Sequence, residues 1–249
     1  MSRPAILRYI SKMTKALSVG AVALLLLVCL RSGAKADGPV VVELFTSEGC
    51  SSCPPADALL AELATRPEVL ALSFHVDYWD RLGWKDPYSS PLATARQQRY
   101  AALLGTGSIF TPEAIVDGRW PAVGSDRGAI TRAIAAAERG NSKLPIRLLL
   151  AHGSAQIAIG RAPSAIGAEI WLIGFDRQHM DAVGAGENAG HSLSHVNVVR
   201  DIVEVGRLDG KSDALAMPIA GWHVDRLAVL VAAADGHILG AAEADAQPP

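Results

Sequence analysis

The chain has 249 residues, half of them apolar, and a formal net charge of −2. Residues 1–36 hold six basic and no acidic side chains, so the remaining 213 residues carry −8. An acidic surface repels phosphate backbones, which argues against a nucleic-acid partner, and this length and apolar content suit one large or two small domains packed without disulfide staples.

Residues 1–36 divide as a secretory leader does. Arg3, Arg8, Lys12 and Lys15 form a basic start, Ala21 to Leu30 an apolar run, and Ala34-Lys35-Ala36 a small-residue cleavage site. The apolar run is short for a membrane span, which needs about 20 residues. The expectation is an exported chain, periplasmic or secreted, with no membrane association after cleavage. Cys29 raises a lipoprotein reading, but Leu26-Leu27-Val28 before it lacks the small residues such a site would carry.

The stretch Val40 to Phe45 is apolar and β-rich, as in a buried strand. Cys50-Ser51-Ser52-Cys53 follows, and then Ala56, Leu59, Leu60 and Leu63 recur at helical spacing. Val69 to Phe74 predicts a second strand. The segment from His75 to Pro87 is dense in aromatic and charged groups, and reads either as a recognition groove or as a packed surface loop. Leu92 to Leu104 predicts a helix closed by Gly105. Thr111-Pro112 precedes a strand at Ala114-Ile115-Val116, and Ser125 or Asp126 caps a third helix carrying Ile130, Ala133, Ile134 and Ala137. Beyond Lys143 helical periodicity stops. Ile146 to Leu150, Ile157 to Ile159, Glu169 to Phe175, Val196 to Val205 and the hairpin Leu227 to Leu239 around Asp235-Gly236 predict a β-sandwich of about seven strands. The stretch from Ala241 to Pro249 reads as a frayed tail.

The chemistry concentrates at Cys50 and Cys53. A cysteine at a helix N-terminus has its thiolate favoured by unpaired N–H groups and the macrodipole. Cys50, at the strand–helix turn, reads as the more exposed, attacking thiolate, and Cys53, one turn on, as the resolving thiol. Pro54 and Pro55 fit a first helical turn, where their missing N–H groups cost no bond. A passive bridge closing two residues would remove little loop entropy. A zinc site would need two further ligands, and no cysteine beyond Cys29, Cys50 and Cys53 exists. Copper(I) held by Cys50, Cys53 and His75 remains an alternative, because soft thiolates select that ion. No cofactor is called for. Pro112 before a buried strand is a candidate cis-proline. Glu43, inside an apolar strand, is a candidate proton shuttle for Cys53, or else faces solvent or pairs with a lysine. Glu187, Asn188, His191 and His195 lie in a Gly-rich stretch that reads as a loop held by side-chain hydrogen bonds, with metal ligation by the two histidines as the other reading.

The order strand, C-x-x-C, helix, strand, helix, Thr-Pro, strand, helix resembles the thioredoxin fold. More narrowly, Glu43 to Asp57, His75 to Asp80, Thr111-Pro112 and His195 to Arg200 resemble a secreted thioredoxin-like family known as domain of unknown function 1223. The resemblance implies Cys50 as nucleophile, Cys53 as resolving thiol and Pro112 as the cis-proline facing them. Glu43 stands one residue further from the first cysteine than the buried carboxylate of thioredoxins. Gly49 replaces their tryptophan, and Ser51-Ser52 replaces their Gly-Pro. The resulting expectation is a leader over residues 1–36, an α/β thioredoxin-like domain over 37–142 and an all-β, sandwich-like C-terminal domain over 143–249. The expected activity is thiol–disulfide exchange with protein or small-thiol substrates. A binding module on the same scaffold is the remaining alternative. Neither redox direction nor oligomeric state follows from these residues.

Overall fold

The structure is a computed structural model that describes residues 38–246 apart from 141–142, 152 and 212. The expected leader, with Cys29, and residues 247–249 lie outside the described residues. Asp37–Pro249 forms one unit by its internal contacts.

β1 (Val40–Thr46) is buried along its whole length. Successive side chains of a strand point to opposite faces, and both faces of β1 are buried. Val40, Val42 and Leu44 pack with Leu59, Leu60 and Leu63 of α1 (Pro54–Leu63), and with Ile130 and Ile134 of α3 (Arg127–Glu138). Val41 and Phe45 pack on the other face with Ala93 and Tyr100 of α2 (Pro91–Leu104). The helix ends follow local chemistry. Ser90 Oγ accepts from the Leu92 N–H, Gly105 closes α2 in the left-handed region at φ 66°, and Asp126 caps α3 by accepting from the Ala129 N–H.

β2 (Val69–His75) runs parallel to β1, while β3 (Glu113–Val116) and β4 (Trp120–Val123) continue the sheet antiparallel on the other side. From the second half come β5 (Ile146–Ala151), β6 (Ser154–Ile159), β7 (Glu169–Ala182), β8 (Ser192–Arg207), β9 (Asp213–Pro218), β10 (Arg226–Ala232) and β11 (Ile238–Asp245). Their arrangement corrects the expected architecture. β8 lies beside β2 in parallel, with Ser73 opposite Val198, so one mixed sheet of eight strands runs in the order β11-β10-β7-β8-β2-β1-β3-β4. β5, β6 and β9 form a second sheet of three strands. Eleven strands against three α-helices make the described chain mostly β. It is not an α/β thioredoxin-like domain followed by a separate all-β domain.

The core shows why the halves do not separate. Phe45, Leu72 and Phe74 from the first half share one apolar cluster with Ile173, Phe175, Leu230 and Ile238 from the second. The small sheet covers a further cluster built on Ile170, Leu172, Leu227, Val229 and Val231 of the large one. β4 and β9 were absent from the sequence reading. Ala241 to Asp245, expected to fray, pairs with β10 as part of β11. Because the shared cluster ties both halves together, the folded unit should unfold in a single calorimetric transition. Phe45→Ala and Phe175→Ala, one in each half, should each lower that same transition, at a cost of about 3–5 kcal/mol. Two transitions, each responding to one variant alone, would contradict the shared core.

Candidate functional site

After β1 the chain turns tightly at Ser47-Glu48-Gly49. The Cys50 N–H donates to the Ser47 carbonyl at 3.1 Å, and the Gly49 N–H to Ser47 Oγ at 3.1 Å. A Cβ on Gly49 would lie 3.2 Å from Trp79 Cβ, so a side chain there would press on that ring's stem. Cys53 is the N-cap of α1. Its carbonyl accepts from Ala56 and Asp57, and Pro54 and Pro55 occupy the first positions of the helix. Cys50 and Cys53 are joined as a disulfide, their Cα atoms 5.5 Å apart.

Across the turn lies the loop of Pro112. The Thr111–Pro112 peptide is cis and Pro112 is buried. Ser52 Oγ reaches the Thr111 carbonyl at 3.5 Å, and Trp79 Nε1 donates to Thr111 Oγ1 at 2.7 Å. The structure thus brings the C-x-x-C turn, Trp79 and the Thr111–Pro112 loop together.

Two expectations are corrected here. Cys50 is not the exposed sulfur: both cysteines have 0 % exposure, and only Ser51 and Ser52 between them face solvent. The connection between β7 and β8 bonds to the turn that holds them. Asn188 Nδ2 donates to the carbonyls of Glu48 and Cys50, at 2.8 and 2.9 Å. Glu187 Oε2 accepts from Ser51 N–H and Ser51 Oγ, at 2.9 and 2.7 Å. Gly184 and Gly186 lie against Trp84, whose Nε1 donates to Glu48 Oε2 at 2.7 Å.

The second correction concerns Glu43. It is buried, but it shares the face of Val41 and Phe45, opposite the face that α1 covers. There it pairs with Arg96 and accepts a hydrogen bond from Tyr100 at 2.6 Å. The Arg96 guanidinium also lies over the rings of Phe74, Tyr100 and Trp171. Glu43 is therefore held in an ion pair away from the helix of Cys53.

The α1 face carries a different set of ionisable groups, which the sequence reading did not assemble. Glu48, Asp57, His75, Asp86 and His195 are all buried. His75 Nδ1 bonds to Asp86 Oδ2 at 2.7 Å, and the same oxygen accepts from the Glu48 N–H at 2.8 Å. His195, from β8, meets the His75 ring edge-on with centroids 4.7 Å apart. Its Nε2 is 3.3 Å from Glu48 Oε1 and its Nδ1 is 3.8 Å from Asp57 Oδ2. Burial pushes the Asp57 carboxyl up, against the opposing pull of His195 and His75. Burial also pushes His195 down, but the neighbouring Glu48, Asp57 and Asp86 carboxylates outweigh it and hold His195 above its ordinary value. Burial likewise raises Asp86, and its contact with His75 reverses the shift and keeps it low.

The metal readings find little support in this geometry. His191 is exposed and turned toward the Asn188 carbonyl, whereas His195 is buried. Among the described residues no group of three or more His, Cys, Asp or Glu side chains is arranged to hold a metal ion. In the segment from His75 to Pro87, Tyr78 and Trp79 pack against the shared apolar cluster, while Arg81, Leu82, Gly83, Lys85 and Pro87 are exposed. No described helix is long and apolar enough to cross a membrane.

Residues 41–232 match the model of a family described as a protein of unknown function, DUF1223. The chain belongs to this family. A crystal structure of an Agrobacterium tumefaciens protein is similar over 87 % of this chain and 98 % of that one, with 33 % identity and a TM-score of 0.75. HBP35 of Porphyromonas gingivalis is similar in fold, at 15 % identity and a TM-score of 0.56, over 84 % of this chain and 75 % of that one. Among curated proteins none matches the chain.

The Glu43 assignment is open to measurement. Arg96→Leu leaves a buried carboxylate unpaired and should cost about 3–5 kcal/mol in urea unfolding, whereas Glu43→Leu with Arg96→Leu should recover most of that loss. Equal costs for the single and double variants would contradict the pairing.

Proposed function

We propose that this DUF1223 protein is an exported thiol–disulfide exchange protein that works through Cys50 and Cys53 beneath an opening cover. The observation that carries this reading is the position of the pair. It sits at the start of α1, beside the Thr111–Pro112 loop, and the β7–β8 connection bonds to its turn through Glu187 and Asn188. A bridge closing two residues adds little stability, so a purely structural role gives a weak reason for it. The cover is held by few polar contacts, each worth about 1 kcal/mol. Its opening would admit a thiolate to Cys50. The electron pair of the broken bond then leaves on Cys53, and a second thiol resolves the mixed disulfide. The substrates we envisage are protein or small-molecule thiols and disulfides in an oxidising compartment, in keeping with the leader-like residues 1–36.

A second reading has its own observation. Complete burial of both cysteines suits a closed bridge on a non-catalytic scaffold, with the β-rich second half binding a partner. Access to the sulfurs separates the two.

On the exchange reading, dithiothreitol reduces the folded wild-type pair, and Asn188→Ala speeds that reduction about tenfold, as expected for losing roughly 1.4 kcal/mol of closure. Thiol trapping followed by mass spectrometry reads the rate. Turnover of a disulfide substrate should disappear in Cys50→Ser. Reduction that occurs only on unfolding, at the same rate in Asn188→Ala, would leave the closed bridge as the function.

A further inference from the structure

Buried polar atoms in folded proteins almost always have a hydrogen-bond partner, so each exception asks for a reason. Here the exceptions gather in one place. Thr46 Oγ1, Glu48 Oε1, Asp57 Oδ1, His75 Nε2 and both ring nitrogens of His195 are buried without a well-aligned hydrogen bond, although His195 lies within ion-pair distance of Glu48 and Asp57. Thr46 and His75 are opposite each other in the β1–β2 register, and the rings of His75 and His195 touch. The place is also defined relative to the disulfide. Glu48 lies two residues before Cys50, and its carbonyl shares Asn188 with the Cys50 carbonyl. Asp57 lies one helical turn after Cys53, on the same face of α1, and its N–H donates to the Cys53 carbonyl at 3.1 Å. His195 stands between these two arms, 3.3 Å from one carboxylate and 3.8 Å from the other.

We propose that His195, set between Glu48 and Asp57, is the internal proton store of the dithiol and passes its proton to Cys53 by way of Asp57. This rests on the exchange reading above. It assigns the resolving proton to a residue from β8, and leaves Glu43 with its ion pair to Arg96.

The step balances as follows. An external dithiol supplies two electrons and two protons. Its thiolate attacks Cys50 Sγ, a new S–S bond forms, the Cys50–Cys53 bond breaks, and the electron pair stays on Cys53. A thiolate sealed in this site is costly unless it is neutralised or faced by a cation. His195 gives its Nδ1 proton to Asp57 Oδ2, and rotation of the neutral carboxyl then carries that same proton to Cys53. The donor's second thiol loses its proton and breaks the mixed disulfide. Cys50 leaves as the thiolate and takes up one proton, and the other reloads His195. The oxidised donor departs as a disulfide.

Several further groups face His195 and belong to the same balance. His75 and Asp86 come from the end of β2 and the loop after it. Tyr88 lies with its ring 6.0 Å away, carrying its bond to Asp181 and the Arg200 guanidinium over its face. His179 is opposite His195 on β7. Because these neighbours are common to both redox states, a difference in His195 between the states reports on the sulfurs.

The test is the titration of His195 by NMR in the wild-type protein, oxidised and then reduced with dithiothreitol, with His195→Gln identifying the signal. The expected result is a change of its midpoint by about one pKa unit or more on reduction, as the protons of His195 and Cys53 come to titrate as a coupled pair. Asp57→Asn, which keeps the side-chain shape, should abolish most of that shift. An identical titration in both states overturns the relay while leaving exchange intact. A pair that cannot be reduced in the folded protein overturns both.

Discussion

The parallel contact between β2 and β8 decides what surrounds the two sulfurs. It is a short contact, Ser73 opposite Val198, held also by Asn197, whose positive φ of 48° turns its Nδ2 onto the Ala71 carbonyl at 2.8 Å. Asparagine is among the few residues that take this conformation readily. Through this contact β8 delivers His195 to the α1 face, and the connection before it lays Glu187 and Asn188 over Cys50. Without β8 in the sheet, the C-x-x-C turn would stand open at the end of β1, with neither cover nor histidine.

Strand alternation then separates two kinds of buried charge. On the α2 face, Glu43 and Arg96 answer each other directly, with Tyr100 completing the set. Such a pair is costly to break and has no spare capacity. On the α1 face the carboxylates and imidazoles approach without saturating one another, and several of their atoms remain unpartnered. The first arrangement holds the core together. The second leaves its groups without such a saturated pairing, and it flanks the only disulfide among the described residues.

The parts of this site that were legible in the sequence are those set by neighbours in the chain. Cys53 at the head of α1, Pro54 and Pro55 behind it, and Thr111-Pro112 before β3 all follow from local spacing and turn chemistry. What was misread depends on distant partners. Glu43 reads locally as a shuttle near Cys53, a solvent-facing residue or a partner of a lysine, because which face of β1 receives α1 is decided by packing. Cys50 was expected to be exposed, yet the side chain bonded to its carbonyl is Asn188, 138 residues further on. Glu187, Asn188 and His195 were visible as polar residues in a Gly-rich stretch, with nothing local to say that they close over a disulfide. The two-domain architecture failed for the same reason, since the change of texture near Lys143 marks a change of secondary structure and not a gap in the core.

The account depends on two hidden sulfurs remaining reachable while the protein stays folded. Its most direct measurement is the equilibrium of Cys50 and Cys53 with glutathione buffers of known ratio, followed by thiol trapping alongside near-ultraviolet circular dichroism. The account predicts reversible reduction with the tertiary signal intact, at a potential above about −300 mV, the region that separates labile dithiols from structural bridges. A pair that stays oxidised throughout, and yields only as the tertiary signal collapses, would contradict it.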